Sequence, residues 1–243
     1  MMVMKFVVGK INMENKMRTQ SLTIKLDDMY SIDALTNTQA DFFEGWKKKD
    51  IHVLHGVAGT GKTFISLYKA LEEVLEMKSV YKKLIILRSA VAARDIGALP
   101  GDLDEKGAVY EMPYYDMCDV LFKKDMAYTR LKEQGKIRFA LTSYIRGITF
   151  DNSIIVVDEI QNLNYQELYS VMTRVGENSK ILFCGDYRQS DLRDSGLHKF
   201  LSVLSLMDNV NFLEFTINDI VRSDLVRQFI IAEESFNDNI NMG

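Results

Sequence analysis

Gly56-Val57-Ala58-Gly59-Thr60-Gly61-Lys62-Thr63 is the stretch on which the reading of this 243-residue chain turns. Its glycines let a backbone curl tightly enough to aim several N–H groups at one anion, where a side chain at those turns would block the approach. Lys62 then supplies a mobile positive charge to the β- and γ-phosphates of a nucleotide, and Thr63 offers its hydroxyl to a magnesium ion. The following helix directs its positive end at the same point. The flanks agree: Ile51-His52-Val53-Leu54-His55 reads as a short buried strand, and Phe64, Leu67, Tyr68, Leu71, Val74 and Leu75 recur at helical spacing. All eight loop residues are therefore candidate nucleotide-binding residues. A glycine-rich turn without a ligand needs neither the lysine nor the threonine.

Working outward, further apolar runs read as strands: Leu84 to Leu87, Ile137 to Leu141, Ile154 to Val157, Ile181 to Cys184, and Phe212 to Phe215. Runs apolar at successive positions suit strands covered on both faces, and helical patterns lie between most of them. The expected fold class is α/β, a mostly parallel β-sheet with helices on both faces. Asn164 with Glu167 three residues on predicts a capped helix carrying Leu168, Val171, Met172 and Val175. The stretch from Arg88 to Asp116 holds both prolines, Pro100 and Pro113, with Gly97, Gly101 and Gly107. It reads as a long structured loop and a candidate substrate or partner surface.

Two further segments bring chemistry toward the loop. Ile154-Ile155-Val156-Val157-Asp158-Glu159 is an apolar strand ending in two acids. Asp158 is positioned to hold magnesium, and Glu159 to accept a proton from an attacking water. Ile181-Leu182-Phe183-Cys184 runs into Gly185-Asp186-Tyr187-Arg188-Gln189, where Gln189 is a candidate γ-phosphate sensor and Asp186 a candidate partner for metal-bound water. Ahead of the first strand, Thr36-Asn37-Thr38-Gln39 caps a helix bearing Phe42, Phe43 and Trp46. Asn37 is read as its cap, and the Gln39 amide has the donor and acceptor that an adenine edge requires.

Bulk properties bound the rest. Hydrophobic residues make up 47% and charged residues 26%, ordinary globular usage that excludes a disordered chain. The expected organisation is an N-terminal extension over 1–30, one nucleotide-hydrolysing domain over 31–235 and a C-terminal tail over 236–243. A net charge of -4 gives no global attraction to nucleic acid, so binding of RNA or DNA would need a local basic face. Cys118 and Cys184 read as buried thiols in a reducing, cytoplasmic setting, and no span of membrane length is visible.

The ordered set of motifs resembles the PhoH family, relatives of superfamily 1 helicases, from about Thr36 to Phe229. The marks are Arg88 with Ala90-Val91, Leu99-Pro100-Gly101-Asp102-Leu103, Lys106, the aromatic stretch with Pro113 and Asp116, and Arg146-Gly147-Ile148-Thr149-Phe150. Asp158-Glu159-Ile160-Gln161-Asn162, Gly185-Asp186 with Gln189 and Asp191, and Asp219-Ile220-Val221-Arg222-Ser223 complete it. Ser89, Ile160 and Tyr187-Arg188 depart from residues the family commonly carries, without removing a catalytic group. The resemblance implies a RecA-like P-loop NTPase fold, ATP and Mg2+ as ligands, Gln39 at the adenine-reading position, and Arg222 as a phosphate-sensing or finger arginine. Arg222 is expected on a helix whose Val221, Leu225, Phe229 stripe is buried.

The resemblance also implies a helicase-like ATPase acting on RNA or single-stranded DNA, linked to phosphate starvation; compact versions of this kind resemble those carried by bacteriophages. A single RecA-like domain lacks the second domain's arginines, so a homo-oligomer such as a hexameric ring would place ATP at each interface, with Arg222 or Arg188 reaching either its own or the adjacent site. A nucleotide-dependent assembly switch acting on a protein client is the alternative. A kinase is disfavoured by Glu159, and a guanine-specific switch by the lack of the expected Asp in Asn15-Lys16-Met17-Arg18.

Overall fold

The computed structural model describes residues 23–89, 103–186 and 196–241. Six strands form one sheet: β1 (Ile51–Gly56), β2 (Lys83–Arg88), β3 (Ile137–Leu141), β4 (Ser153–Asp158), β5 (Lys180–Gly185) and β6 (Val210–Phe215). Their spatial order is β3-β2-β4-β5-β1-β6 and every pairing is parallel. All six runs that read as strands in the sequence are strands. The opening apolar run from Met1 to Val8, which reads as an initial strand or tail, lies outside the described residues.

Alternate residues of the central strands enter opposite layers, as the two-residue side-chain period demands. Leu54, Ile86, Val156 and Leu182 pack with Phe42, Trp46, Leu67, Leu71 and Tyr128 on one face. Val53, Ile85, Val157 and Phe183 pack with Leu168, Val171, Leu197 and Phe200 on the other. The first layer is built from α1 (Asn37–Gly45), α2 (Lys62–Leu75), α3 (Leu103–Leu121) and α4 (Ala127–Glu133); the second contains α5 (Tyr165–Met172) and α6 (Leu197–Leu204). This is the RecA-like α/β arrangement, with helices on both faces of a parallel sheet.

Side-chain caps explain two of the helix starts. The Asn164 side chain accepts from Glu167 N at 3.0 Å, while the Glu167 carboxylate accepts from Asn164 N at 3.0 Å, a reciprocal cap. At α1 the cap is Thr36, not Asn37: Thr36 Oγ1 accepts from Gln39 N at 3.3 Å and Thr36 holds the extended backbone that a cap needs.

Two expectations fail. The stretch ending at Asp116 is not loop throughout, because from Leu103 onward it is α3, with Pro113 inside the helix. Proline costs this helix one N–H donor, and burial of Tyr114, Cys118 and Leu121, each 0% exposed, offsets it. The part from 90 to 102 lies outside the described residues. Near the C-terminus, Arg222 lies in the turn before α7 (Asp224–Asn241), and Leu225 and Phe229 are 76% and 67% exposed. The inward positions are the half-buried Val226 and Ile230, one register away from the expected stripe. Helix α7 continues to Asn241.

Both cysteines are buried, as expected. Burial pushes the Cys184 thiol up to about 12, so it is chemically inert. Among the described residues no helix is long and apolar enough to cross a membrane, and no cluster of His, Cys, Asp and Glu is arranged to hold a metal by itself.

Candidate functional site

The parallel sheet delivers three strand ends to one place. β5 lies between β1 and β4, so Gly56, Asp158 and Gly185 end adjacent strands at the carboxyl edge, where open parallel sheets bind ligands. A cleft of about 690 Å³ opens there, within the range of small-molecule sites; Gly59, Lys62, Thr63, Asp158, Glu159 and Arg222 line it.

The loop is held open by its own glycines and by β6. Gly56 has a φ of +118°, and a β-carbon on it would lie 2.0 Å from the Phe215 carbonyl oxygen. That oxygen accepts from Val57 N at 2.9 Å, so it cannot retreat without breaking the first bond of the loop. Gly56→Ala is therefore expected to destabilise the fold by about 3 kcal/mol, from steric overlap and a disfavoured φ together. Chemical denaturation reads this as a lowered midpoint, and an unchanged midpoint would contradict the close approach.

Lys62 opens α2 and is 9% exposed. Its ammonium donates to Gly56 O at 2.8 Å, Val57 O at 2.7 Å and Thr60 Oγ1 at 3.3 Å. Burial lowers its pKa, while Asp186, Cys184, Glu159 and Asp158 act in the opposite direction. Thr63, the next residue, donates from Oγ1 to Asp158 Oδ1 at 2.7 Å. The residues expected to hold the metal are thus in direct contact, although 95 positions separate them in sequence. Asp158 is 5% exposed. Burial and then Glu159 raise its pKa, opposed by hydrogen bonds from Thr63 and Tyr114 and by the charge of Arg88.

Glu159 follows in a left-handed conformation, φ 54°, which non-glycine residues seldom adopt. The turn swings its carboxylate off the strand, where Gln161 Nε2 donates to Oε2 at 2.5 Å and Arg88 Nη2 lies 3.9 Å from Oε1. Gln161 Oε1 accepts from Asp186 N at 3.1 Å, so one amide ties the acid after β4 to the loop leaving β5. Gln161 and Arg88 are visible in the sequence only as family marks. Tyr114, whose hydroxyl donates to Asp158 Oδ2 at 2.8 Å, falls in the stretch that reads as a loop; no local pattern announces such a contact.

Gln39 is buried behind the loop. Its Nε2 donates to Thr60 O at 3.0 Å and its Oε1 accepts from Leu35 N at 2.9 Å. A second amide hydrogen and a second lone pair remain. Arg222 passes over the loop, its Cγ 3.0 Å from where a Gly59 β-carbon would stand, and Val221 N donates to Gly59 O at 3.1 Å. Gln189 and Arg188 lie outside the described residues.

A family model described as PhoH-like protein matches residues 31–234. The PhoH-like protein of Bacillus subtilis (strain 168) is 35% identical over 211 residues, covering 85% of this chain and 65% of that protein. Protein PhoH of Escherichia coli (strain K12) is 35% identical over 210 residues, covering 84% of this chain and 59% of that protein. The chain thus spans less than two thirds of either relative's own length. Among solved structures, the large terminase from a thermophilic bacteriophage superposes with a TM-score of 0.46 at 16% identity, covering 79% of this chain and 48% of that one. The Pyrococcus furiosus Hef helicase domain gives 0.44 at 12% identity, covering 72% and 38%. Matched by the family model over most of its length, and by two bacterial relatives at 35% identity over 211 and 210 aligned residues, the chain belongs to the PhoH family.

Proposed function

We propose that this protein is a magnesium-dependent ATPase, with residues 31–235 as its catalytic unit, that uses hydrolysis to remodel RNA or single-stranded DNA. The observation that carries the reading is the 2.7 Å contact between Thr63 and Asp158, which joins the phosphate loop to the acidic strand end. An all-oxygen pair of hydroxyl and carboxylate suits a hard divalent cation. When bound, magnesium would neutralise developing charge on the β- and γ-phosphate oxygens.

The chain's own residues would do the remaining work. The loop amides and the positive end of α2 hold the phosphates, and Lys62 exchanges its carbonyl contacts for phosphate oxygens. Glu159, turned off its strand and steadied by Gln161, accepts the proton of the attacking water. Gln39 braces the loop through Thr60 and presents its remaining amide hydrogen to an adenine. Arg222 supplies positive charge over Gly59 from within the same chain, and in our reading a homo-oligomeric ring adds further arginines from neighbours. Gln189 would sense the γ-phosphate from the loop after β5.

The test is steady-state ATP turnover with and without RNA and single-stranded DNA across a salt series, beside a mass measurement of the assembly. Turnover is expected to rise with one polymer, and the rise to fade steeply between about 50 and 200 mM salt as counterion release weakens binding. Absence of stimulation by any polymer would favour the second reading, a nucleotide-driven assembly switch with a protein client. One surface observation supports that alternative: α7 exposes Leu225, Phe229 and Phe236 at 76%, 67% and 64%, an apolar character more typical of protein contact than of a phosphate backbone.

A further inference from the structure

We propose that Tyr114 is a positioning residue for the metal half of this site, holding the Asp158 carboxylate in the orientation from which Asp158 and Thr63 take magnesium. The inference rests on the ATPase reading above and adds to it a residue from a different element. Asp158 receives one donor on each oxygen: Thr63 Oγ1 on Oδ1 at 2.7 Å, from α2, and Tyr114 OH on Oδ2 at 2.8 Å, from α3. Two donors from two helices fix both the rotation and the tilt of the carboxylate. A carboxylate has about four lone-pair sites, so the two bonds leave acceptor capacity for a cation or its water.

The chemistry of the donor matters. A lysine or arginine at this place would hold the aspartate equally well but cancel the charge that attracts the cation. A neutral phenol holds it and leaves the charge in place, as an outer partner of a metal ligand should. Tyr114 is 0% exposed, its ring meets Phe139 of β3 at 5.9 Å, and it belongs to the buried α3 stripe with Cys118 and Leu121. The hydroxyl therefore goes where α3 goes. The same helix gives Pro113, Asp116, Met117 and Val120 to the cleft wall. Seating of α3 thus governs metal affinity, while the loop contacts to the phosphates are independent of it.

A buried tyrosine hydroxyl also needs some partner simply to be satisfied, and that bland role makes a different prediction. The experiment compares the full chain with Tyr114→Phe, which keeps the ring. Mn2+ binding is followed by electron paramagnetic resonance in the presence of a non-hydrolysable ATP analogue, nucleotide affinity is measured in EDTA, and turnover is titrated with Mg2+. Metal affinity is expected to weaken roughly 10-fold or more, nucleotide affinity in EDTA to stay unchanged, and excess Mg2+ to recover most of kcat. Unchanged or tighter Mn2+ binding would overturn the proposal, as would an equal loss of nucleotide affinity in EDTA. Should the wild-type chain bind Mn2+ with nucleotide yet turn over no ATP, the ATPase reading fails while the Mn2+ comparison still decides the role of Tyr114. If Tyr114→Phe loses its fold, 3-fluorotyrosine at position 114 keeps the ring and strengthens the donor. Mn2+ affinity is then expected to shift, and a constant value overturns the proposal.

Discussion

Glu159→Gln is expected to bind ATP as the wild-type chain does and to hydrolyse it some 10²–10⁴-fold more slowly, roughly the contribution of a positioned general base. The amide is the same size as the acid, so the left-handed turn at 159 (φ 54°) and the packing of Ile160 behind it are retained. What disappears is the ability to take a proton. The contact from Gln161 at 2.5 Å and the Arg88 guanidinium at 3.9 Å survive in geometry, though Arg88 loses its charge partner. At 38% side-chain exposure, Glu159 is open enough to meet water, unlike Asp158. Equilibrium binding of a fluorescent nucleotide beside single-turnover hydrolysis separates the two effects. Equal turnover in wild type and variant would assign the base elsewhere, and equal loss of binding would make Glu159 a structural acid.

Much of this architecture is written in short stretches of sequence. The central strands β2, β4 and β5 announce themselves by runs such as Leu84 to Leu87 that stay apolar at successive positions, because a parallel strand covered on both faces has no polar side to show. The phosphate loop is legible for a related reason: Gly56 at φ +118° against a carbonyl, and Gly61 at φ +81° before α2, are positions where the backbone itself selects the residue. Asp158 and Glu159 are legible because a strand end is a fixed address. Tyr114 is not, since its meaning depends on α3 bringing its hydroxyl to the Asp158 end of β4, and such a tertiary contact leaves no periodic trace; Pro113 and Gly107 even disguise the helix. Arg222 illustrates an intermediate case. Its place over Gly59 depends on the turn after β6, so the residue can be picked from the family pattern while its element cannot. The exposed Leu225 and Phe229 show the cost of assuming that an apolar stripe faces inward, when the first turn of α7 at Asp224 sets the register one position away.

Lys62→Ala should remove both nucleotide affinity and turnover, with a smaller effect on the fold. In the wild-type chain the ammonium holds two carbonyl oxygens, Gly56 O and Val57 O, at 2.8 and 2.7 Å. Both belong to the loop whose amides would converge on the phosphates in the proposed site. Truncation leaves these acceptors to water and withdraws a buried ammonium from the cleft. A hydrogen bond to a charged group contributes about 1.5–3 kcal/mol, so a weakening of ATP binding by roughly 10–100-fold follows from the direct contact alone. Stability responds less, because burial already disfavours the charged form of Lys62, and the loss of its desolvation cost offsets part of the lost bonding. Lys62→Arg provides the sharper comparison. It keeps the charge but replaces a compact ammonium by a planar fork too wide for a space bounded by Gly56 O, Val57 O and Thr60 Oγ1. Arginine is therefore expected to rescue neither binding nor turnover. If calorimetry finds Lys62→Ala binding ATP with wild-type affinity, the triphosphate sits elsewhere; if Lys62→Arg restores turnover, the loop supplies charge without shape, and the close fit around the ammonium has no bearing on catalysis.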